Sequence, residues 1–325
     1  MAELVLLVGA PRSGTTWIQR ILASHPDIVT PQETDVFAKY LGPALRTWSG
    51  SLDLDPDELA KRRYKGLGSL LTAADFDAWC RSLVATLCDR AVETKPTARI
   101  VLEKTPMHSL EVDTVERLVP GARYIHLVRD GRDVVDSMMA ASAGWGDYWA
   151  PHAVGEGAQI WSDHVRSARQ AAATGSRYVE LRYEAVRAGE LGGLVDAFAL
   201  CGVEVDQHVV ESFVRDVSLD RVAGELDGLA IAGEMTTRIG TSASEPHGFV
   251  RSGSTGDWRT SWSARDRAAF AARAGELLVE LGYEQSSHWV GRTAVWRVAG
   301  LANRLMSRCS SSLDRRSRAW RGTLP

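Results

Sequence analysis

The segment at residues 6–17 constrains this chain most, because it joins a short apolar strand to a helix through a glycine-bounded loop. Its sequence is LLVGAPRSGTTW, in which Gly9 and Gly14 have the G-x-x-x-x-G spacing of a P-loop. Such a loop turns successive backbone N–H groups toward an anion at the N-terminus of the helix. An ATP-binding loop carries lysine after its second glycine, whereas here Thr15 follows and the cation, Arg12, lies inside the loop. The loop therefore predicts a phosphate site for a nucleotide other than ATP.

Strand-like apolar runs alternate with helical patterns along the rest of the chain. We predict strands at residues 4–8, 99–103, 123–128 and 178–181, and helices at 15–24, 109–118, 133–140, 153–173 and 264–281. A further helix is predicted to begin near Glu33. This alternation predicts an α/β fold, a P-loop-like, doubly wound parallel sheet flanked by helices, with ligands at the C-terminal ends of the strands.

We predict one domain over residues 1–285 and a separate tail over residues 286–325. Residues 221–256 are rich in Gly, Ser and Thr with weak periodicity, and a long stretch of this kind is typical of a functional lid or of a disordered segment. We favour the lid, because the stretch leads into RSGSTGDW. The tail holds eight Arg and one Asp, so it is strongly basic. Its apolar spacing over 293–306 favours a helix that packs on its own domain, and the alternatives are contact in a homo-oligomer and binding to a membrane surface.

The composition disfavours several classes of protein. A chain of 325 residues, 45% hydrophobic and 24% charged, suits a soluble globular protein. No apolar run approaches the roughly 20 residues of a membrane span, and the basic excess is confined to the tail, so we expect no stable membrane insertion and no nucleic-acid binding. The four cysteines form no C-x-x-C pair and no cluster with metal spacing. We therefore expect a cytoplasmic protein with free thiols and no metal site.

Two further motifs place a cation near small or polar side chains. In LVRDGRDVVDSMM, Arg129 ends a strand and Ser137 follows on the next helix, so a guanidinium and a hydroxyl can share one phosphate. In RSGSTGDW, Arg251 precedes small residues that permit close backbone approach to a ligand. The alternatives are a surface arginine paired with Asp130 or Asp133 for the first motif, and a flexible surface loop for the second.

Together the motifs resemble those of the sulfotransferases that use 3′-phosphoadenosine 5′-phosphosulfate (PAPS). PRSGTTW is similar to the family's 5′-phosphosulfate loop P-K-S-G-T-T-W, LVRDGRDVVDSMM to its 3′-phosphate motif, RSGSTGDW to R-K-G-x-x-G-D-W, and RYEAV to R-Y-E-D-L. The motif layout is closest to the cytosolic-type and the tyrosylprotein or heparan-type members. The resemblance implies a PAPS-dependent sulfotransferase that needs no metal and sulfates a hydroxyl of a small-molecule or natural-product acceptor.

The resemblance also assigns roles by position. Arg12 stands where the family has a lysine on the leaving-group oxygens, so it is both a catalytic and a donor-binding candidate. The other donor-binding candidates are Ser13, Gly14, Thr15 and Thr16 at the 5′-phosphate, Arg129, Ser137, Arg251, Ser252 and Gly253 at the 3′-phosphate, and Trp17 and Tyr183 at the nucleotide. Arg12 in place of lysine alters reach and geometry. Ser252 in place of the lysine of R-K-G is expected to weaken the grip on the 3′-phosphate.

Two residues compete as the general base that takes the proton of the acceptor hydroxyl. Glu33 resembles the acidic base that follows the P-loop helix in the tyrosylprotein and heparan-type enzymes. The cytosolic enzymes have K-T-H at the next strand end, where Lys104 and Thr105 match and His108 lies two residues beyond. We favour Glu33, and we expect Lys104 to contact the transferring sulfuryl group. The alternatives are a first-turn helix acid for Glu33, an exposed helix cap for His108 and an ion pair with Glu103 for Lys104.

Two other classes of function stay open at this point. A P-loop kinase or NTPase requires a cation on the γ-phosphate and an acidic Mg²⁺ ligand at a strand end, whereas Thr15 follows Gly14 and Arg129 ends the strand at 123–128. A binding module that keeps the nucleotide fold without the chemistry is disfavoured because Arg12 and Lys104 are retained.

Overall fold

The computed structural model describes residues 2–31, 33–52, 67–175, 177–217, 253–286 and 289–290. The predicted tail helix at 293–306 and all but the last four residues of the predicted lid at 221–256 lie outside these ranges. The chain divides into two compact units, which we call the sheet unit (Met1–Arg129 and Asp163–Thr255) and the second unit (Asp130–Ser162 and Gly256–Pro325). The domain boundary expected at residue 285 stays a prediction.

Within the described residues of the sheet unit, five strands form one sheet. They are β1 (Glu3–Gly9), β2 (Ile28–Val29), β3 (Ile100–Lys104), β4 (Arg123–Val128) and β5 (Arg177–Arg182). Their order is β2-β3-β1-β4-β5, and every neighbouring pair is parallel. Parallel neighbours require crossover connections, which here contain helices. The doubly wound parallel sheet that the sequence predicts is confirmed.

Helices connect the strands and continue into the second unit. They are α1 (Thr15–Ala23), α2 (Gly42–Leu52), α3 (Ala73–Thr94), α4 (Val112–Leu118), α5 (Gly131–Ser142), α6 (Val154–Ala173), α7 (Tyr183–Arg187), α8 (Gly192–Leu200), α9 (Gln207–Asp216), α10 (Trp258–Ser261) and α11 (Ala264–Glu280). A π-helical turn (Val36–Leu41) precedes α2, and 3₁₀ turns occupy Leu67–Ser69 and Pro106–Leu110. Reciprocal side-chain caps begin α3 and α11, at Thr72 with Asp75 and at Ser263 with Asp266.

The core of the sheet unit lies on both faces of the sheet. Alternate side chains of β1 point to opposite faces, so Val5 and Leu7 pack with α1, α8 and α9, whereas Leu6 and Val8 pack with α2, α3 and α4. Burial on both faces explains why β1 reads as a continuous apolar run. Trp48 of α2 is 4% exposed in this core.

Two segments around the functional edge differ from the prediction. The helix expected to begin near Glu33 begins only with the π-helical turn at Val36, after Asp35 with a φ of 53°. The helix expected from residue 109 is a 3₁₀ turn followed by α4. Elsewhere a half-buried lysine, Lys95, connects separate segments of the chain, since its Nζ donates to the carbonyl oxygens of His25 and Ile28 at 2.8 Å each.

Candidate functional site

The loop between β1 and α1 has the backbone shape of an anion site. Arg12 and Gly14 both have positive φ, 72° and 98°, and backbone that turns in this way directs neighbouring N–H groups into one concavity. The first turn of α1 adds N–H groups that have no partner inside the helix. Gly14 is also required sterically, because a Cβ there would lie 2.7 Å from the ring of Tyr183. The loop therefore has the geometry of the phosphate cradle that the sequence predicts.

The side chains that follow Arg12 are buried against this loop. Ser13, Thr15 and Thr16 are each at most 8% exposed. The Ser13 Oγ has no hydrogen-bond partner among the described residues, and a buried hydroxyl of this kind requires a partner. Trp17 is 5% exposed, and its indole N–H donates to the carbonyl oxygen of Val217 at 2.8 Å. Trp17 thus lies in the core, next to the cradle.

Lys104, the last residue of β3, joins the cradle to the favoured base. Its side chain is 3% exposed, its Nζ donates to Thr16 Oγ1 at 3.3 Å, and it forms an ion pair with the carboxylate of Glu33. The Glu33 side chain is 46% exposed, so its carboxylate is accessible from solvent. The structure therefore brings these three predicted residues together, and Lys104 pairs with Glu33 instead of Glu103.

His108 occupies a different environment, inside the 3₁₀ turn at Pro106–Leu110. Its side chain is fully buried, with Nδ1 2.7 Å from Glu103 Oε2. Its Nε2 accepts a hydrogen bond from the backbone N–H of Phe37 at 3.1 Å. The exposed helix cap that the sequence allows for His108 is wrong, because both ring nitrogens contact buried protein groups.

Arg129 directly follows β4 and connects three segments of the sheet unit. Its guanidinium donates to the carbonyl oxygens of Arg12 at 3.3 Å and of Ser254 at 2.7 Å, and it lies 4.4 Å from the centroid of the Tyr183 ring. The Tyr183 hydroxyl donates to the carbonyl oxygen of Gly253 at 2.9 Å. Arg129 Nε is buried and has no hydrogen-bond partner among the described residues. Arg129 and Tyr183 therefore hold the cradle and residues 253–254 together.

Three other predicted donor-binding residues, Ser137, Arg251 and Ser252, lie outside the described residues of the sheet unit. Ser137 lies on α5, within the second unit, where it is buried. Arg251 and Ser252 lie outside the described residues. Their roles at the 3′-phosphate stay predictions.

Three charged residues of α5, to which the sequence analysis gives no such role, hold residues 256–261 within the second unit, including the end of the RSGSTGDW motif. The N–H of Gly256 donates to the Asp133 carboxylate and is shared between its two oxygens, at 2.9 and 2.8 Å. Asp136 accepts from the Ser261 hydroxyl at 2.5 Å. Arg132 is 1% exposed. The acidic residues at 130, 133 and 136 recur every three residues, and this spacing on one helix face is the signal that could have identified them.

Arg132 is enclosed by charge and by aromatic rings. It forms ion pairs with Asp130 at 2.7 Å and with Glu284. Its Cζ lies 4.2 Å from the ring centroid of Trp258 and 5.0 Å from that of Trp289. A buried guanidinium satisfied by two carboxylates and two π faces is a rigid anchor. It fixes Trp258, the last residue of the motif.

Two features of the described residues, their acidic, His and Cys side chains and the character of their helices, bear on metal binding and on membrane crossing. Within those residues, no group of three or more His, Cys, Asp or Glu side chains is arranged to hold a metal ion. None of the described helices combines the length and the apolar character needed to cross a membrane.

Comparison with known proteins gives a family match over most of the sheet unit. The family model described as "Sulfotransferase family" matches residues 5–207, more than half of the chain. Human protein-tyrosine sulfotransferase 1 is 30% identical over 137 residues, which cover 42% of this chain and 34% of that protein. The zebrafish (Danio rerio) protein-tyrosine sulfotransferase 1 is 30% identical over 137 residues, 42% of this chain and 35% of that protein. The matches thus span about a third of these relatives' length. Among solved structures, a mouse sulfotransferase complexed with PAP superposes with a TM-score of 0.49 at 15% identity, covering 93% of this chain and 88% of that one.

Proposed function

The chain belongs to the sulfotransferase family, and we propose that it transfers a sulfuryl group from PAPS to a hydroxyl group of an acceptor. The observation that carries this proposal is the double contact of Lys104. Its ammonium group reaches Thr16 at the phosphate cradle and Glu33 at the accessible edge of the site. A cation between an anion cradle and a carboxylate suits the transfer of a charged group to a hydroxyl that must lose its proton.

The described residues fit the donor in two ways. The concavity formed around Arg12 and Gly14 suits the 5′-phosphosulfate, and the buried Ser13 hydroxyl offers it one more hydrogen bond. Arg129 keeps a buried Nε that no described residue satisfies, which supports its assignment to the 3′-phosphate. Ser137, Arg251, Ser252 and Gly253 are proposed as the rest of that second anion site.

When bound, PAPS supplies the sulfuryl group and a phosphate leaving group. The acceptor oxygen forms a bond to sulfur while the bond from sulfur to the 5′-phosphate oxygen breaks. We propose that Glu33 accepts the proton of the acceptor hydroxyl. Arg12 and Lys104 stabilise negative charge on the leaving-group and sulfuryl oxygens, since fixed cations in a partly buried site are effective for this purpose.

Glu33 is the better base on two grounds of geometry. Its carboxylate is on the accessible side of Lys104, with nearly half of its side-chain surface exposed. His108 is fully buried and already uses both ring nitrogens. A general base must come within hydrogen-bond distance of the proton that it removes. We therefore expect Glu33→Gln to lower kcat by more than about a hundredfold, the usual size of such a contribution.

The acceptor is proposed to be a small-molecule or natural-product hydroxyl, as the sequence predicts. A peptide tyrosine is the second candidate, and it is favoured by the named activity of the relatives in humans and zebrafish. A sulfation assay with labelled PAPS, run on simple phenols, aliphatic alcohols and tyrosine peptides with acidic flanks, separates the two. The cytoplasmic location and the homo-oligomer through the tail also stay predictions.

Ligand-induced thermal shifts test the donor assignment. A ligand that binds only the folded protein raises its melting temperature. We expect stabilisation by 3′,5′-adenosine bisphosphate and none by ATP with Mg²⁺. The reverse pattern would indicate a P-loop kinase or NTPase and would refute the proposal.

Substitutions of the two arginines test their separate roles. Arg12→Ala should abolish turnover with little change in melting temperature, and Arg12→Lys, which installs the family's usual residue, should retain part of it. Wild-type protein should bind 3′,5′-adenosine bisphosphate more tightly than adenosine 5′-phosphate, and Arg129→Met should lose most of this preference. An unchanged preference would rule out Arg129 as a 3′-phosphate ligand.

A further inference from the structure

A buried carboxylate lies directly before Lys104 in β3 and is not part of the proposed transfer chemistry. Glu103 is fully buried. Its carboxylate accepts hydrogen bonds from the Thr34 hydroxyl at 2.8 Å, the Thr105 hydroxyl at 2.7 Å and His108 Nδ1 at 2.7 Å. An ionised group in this position needs several partners to offset the loss of water, and Glu103 has them.

The hydrogen-bond directions determine the tautomer of His108. The N–H of Phe37 donates to Nε2, so Nε2 carries the lone pair and Nδ1 carries the hydrogen that points to Glu103. The Glu103 carboxylate thus accepts from four donors, the backbone N–H and hydroxyl of Thr34, the hydroxyl of Thr105 and His108 Nδ1, and these favour its ionised form. Glu103 is therefore the acceptor of the pair, and His108 Nδ1 is a donor to it.

These contacts converge on the segment that follows Glu33. The backbone N–H of Thr34 donates to Glu103 Oε1 at 3.3 Å, that of Asp35 donates to Thr105 Oγ1 at 3.3 Å, and that of Phe37 donates to His108. Three of the four N–H groups at residues 34–37 are thus bonded to this buried group of side chains. Asp35 has a φ of 53°, a conformation that an L-residue keeps only where its surroundings hold it.

We propose that the Glu103–His108 pair positions Glu33 for proton transfer by holding the backbone of residues 34–37. This inference rests on the proposed function of Glu33. Glu103 and Lys104 are adjacent in β3, so one strand end holds the Glu33 segment at two places, through the backbone after Glu33 and through its carboxylate. Glu103 and His108 are positioning residues, since neither has a solvent-accessible atom with which to touch substrate.

Two substitutions of His108 separate its two hydrogen bonds. His108→Asn retains a donor toward Glu103 and loses the acceptor for Phe37, whereas His108→Gln retains the acceptor and loses the donor. We expect each to lower kcat by about tenfold to a hundredfold, because small displacements of a catalytic group are costly. The KM for PAPS should stay within about twofold, because donor binding uses other residues.

A milder variant and a control guard against a general loss of structure. Thr34→Val removes one donor to Glu103 while keeping the shape of the side chain, and should lower kcat by about threefold to tenfold. The control is Tyr178→Phe, on β5 at the opposite edge of the sheet from β2. It removes a hydroxyl that lies 2.6 Å from the buried Nδ1 of His126 on β4. It should lower the melting temperature as His108→Asn does, with kcat unchanged.

A double-mutant cycle with Glu33→Gln gives the decisive measurement. If the pair acts through Glu33, His108→Asn and Thr34→Val should have no further effect on kcat once Glu33 is Gln. Equal losses in both backgrounds, or kcat within twofold of wild type for both variants, would overturn the positioning role and leave the proposed function standing. If Glu33→Gln itself retains wild-type kcat, the assignment of the base fails, and the positioning role fails with it.

Discussion

Acid should destabilise the protein through two buried histidines, His126 and His164. His126 lies on β4 and is fully buried, and burial lowers its pKa from 6.5 to about 3, although the carboxylate of Glu180 opposes this. His164 lies on α6 and is 1% exposed, and burial lowers its pKa from 6.5 to about 4, opposed by a hydrogen bond to the backbone of Pro106. Both imidazole rings are therefore neutral in the folded protein at any pH above about 5.

The size and sign of the effect follow from linkage between protonation and folding. The unfolded chain protonates a histidine near pH 6.5, whereas the folded chain does so only at the lowered pKa, so the unfolded state binds more protons below pH 6.5. Stability is therefore lost as the pH falls, by about 1.4 kcal/mol per pH unit for each histidine. Between pH 7.5 and pH 5.0 the two together should lower the free energy of unfolding by on the order of 4 kcal/mol.

Denaturant unfolding followed by tryptophan fluorescence, at pH 7.5 and pH 5.0, measures this loss. The comparison protein is the His126→Asn/His164→Asn double variant, because in both histidines Nδ1 makes the contact that an asparagine amide can replace, with Tyr178 and Ser109. Wild type should lose about 4 kcal/mol more than the double variant over this range, and should take up about two more protons on unfolding at pH 5.0. An equal loss in the two proteins would refute the reasoning.

Three substitutions and one control, Gly175→Ala, test other parts of the structure. Lys95→Met removes the hydrogen bonds from Nζ to two backbone carbonyls, and should lower the free energy of unfolding by about 1–3 kcal/mol in denaturant titrations. Gly14→Ala introduces a Cβ 2.7 Å from the Tyr183 ring at a φ of 98°, so it should lower both the melting temperature and the thermal shift given by 3′,5′-adenosine bisphosphate. Gly175→Ala, at a φ of 84° with nothing within 4 Å, should lower only the melting temperature. Arg132→Met removes the ion pair from the buried carboxylate of Asp130, and should cost about 3–5 kcal/mol by the same titration.

Four of the five described strands, β1, β3, β4 and β5, were predictable from short runs of strand-forming residues, whereas the two-residue β2 was not predicted. The strand expected at 123–128 is β4 (Arg123–Val128), in which the five residues after Arg123 are all buried, as expected for a strand covered on both faces. The phosphate cradle was predictable for a similar reason, since Gly9, Arg12 and Gly14 lie within one short loop. Local sequence determines the local backbone shape at each of these places.

The segment at residues 33–41 was not predictable from local sequence. Its pattern favours a helix near Glu33, but N–H groups that would begin such a helix instead bond to Glu103, Thr105 and His108, about 70 residues away in the chain. The same long-range contacts bury His108, which local sequence allows as an exposed cap. The sequence could suggest two bases, but only the folded arrangement separates an accessible carboxylate from an enclosed imidazole.

The strand order supports the proposal that one sheet edge holds a donor with two separate anionic groups. Both β3 and β4 pair directly with β1, so the residues that end them, Lys104 and Arg129, lie on opposite sides of the loop that follows β1. Neighbouring strands are about 4.8 Å apart, which puts the ends of β3 and β4 on the order of 10 Å from each other on either side of β1. An ATP-binding P-loop places its lysine against a single chain of phosphates. Here the positive charge is spread along the sheet edge, with Lys104 toward Glu33 and Arg129 toward Tyr183, and this separation is what a nucleotide with a 5′-phosphosulfate and a distinct 3′-phosphate requires.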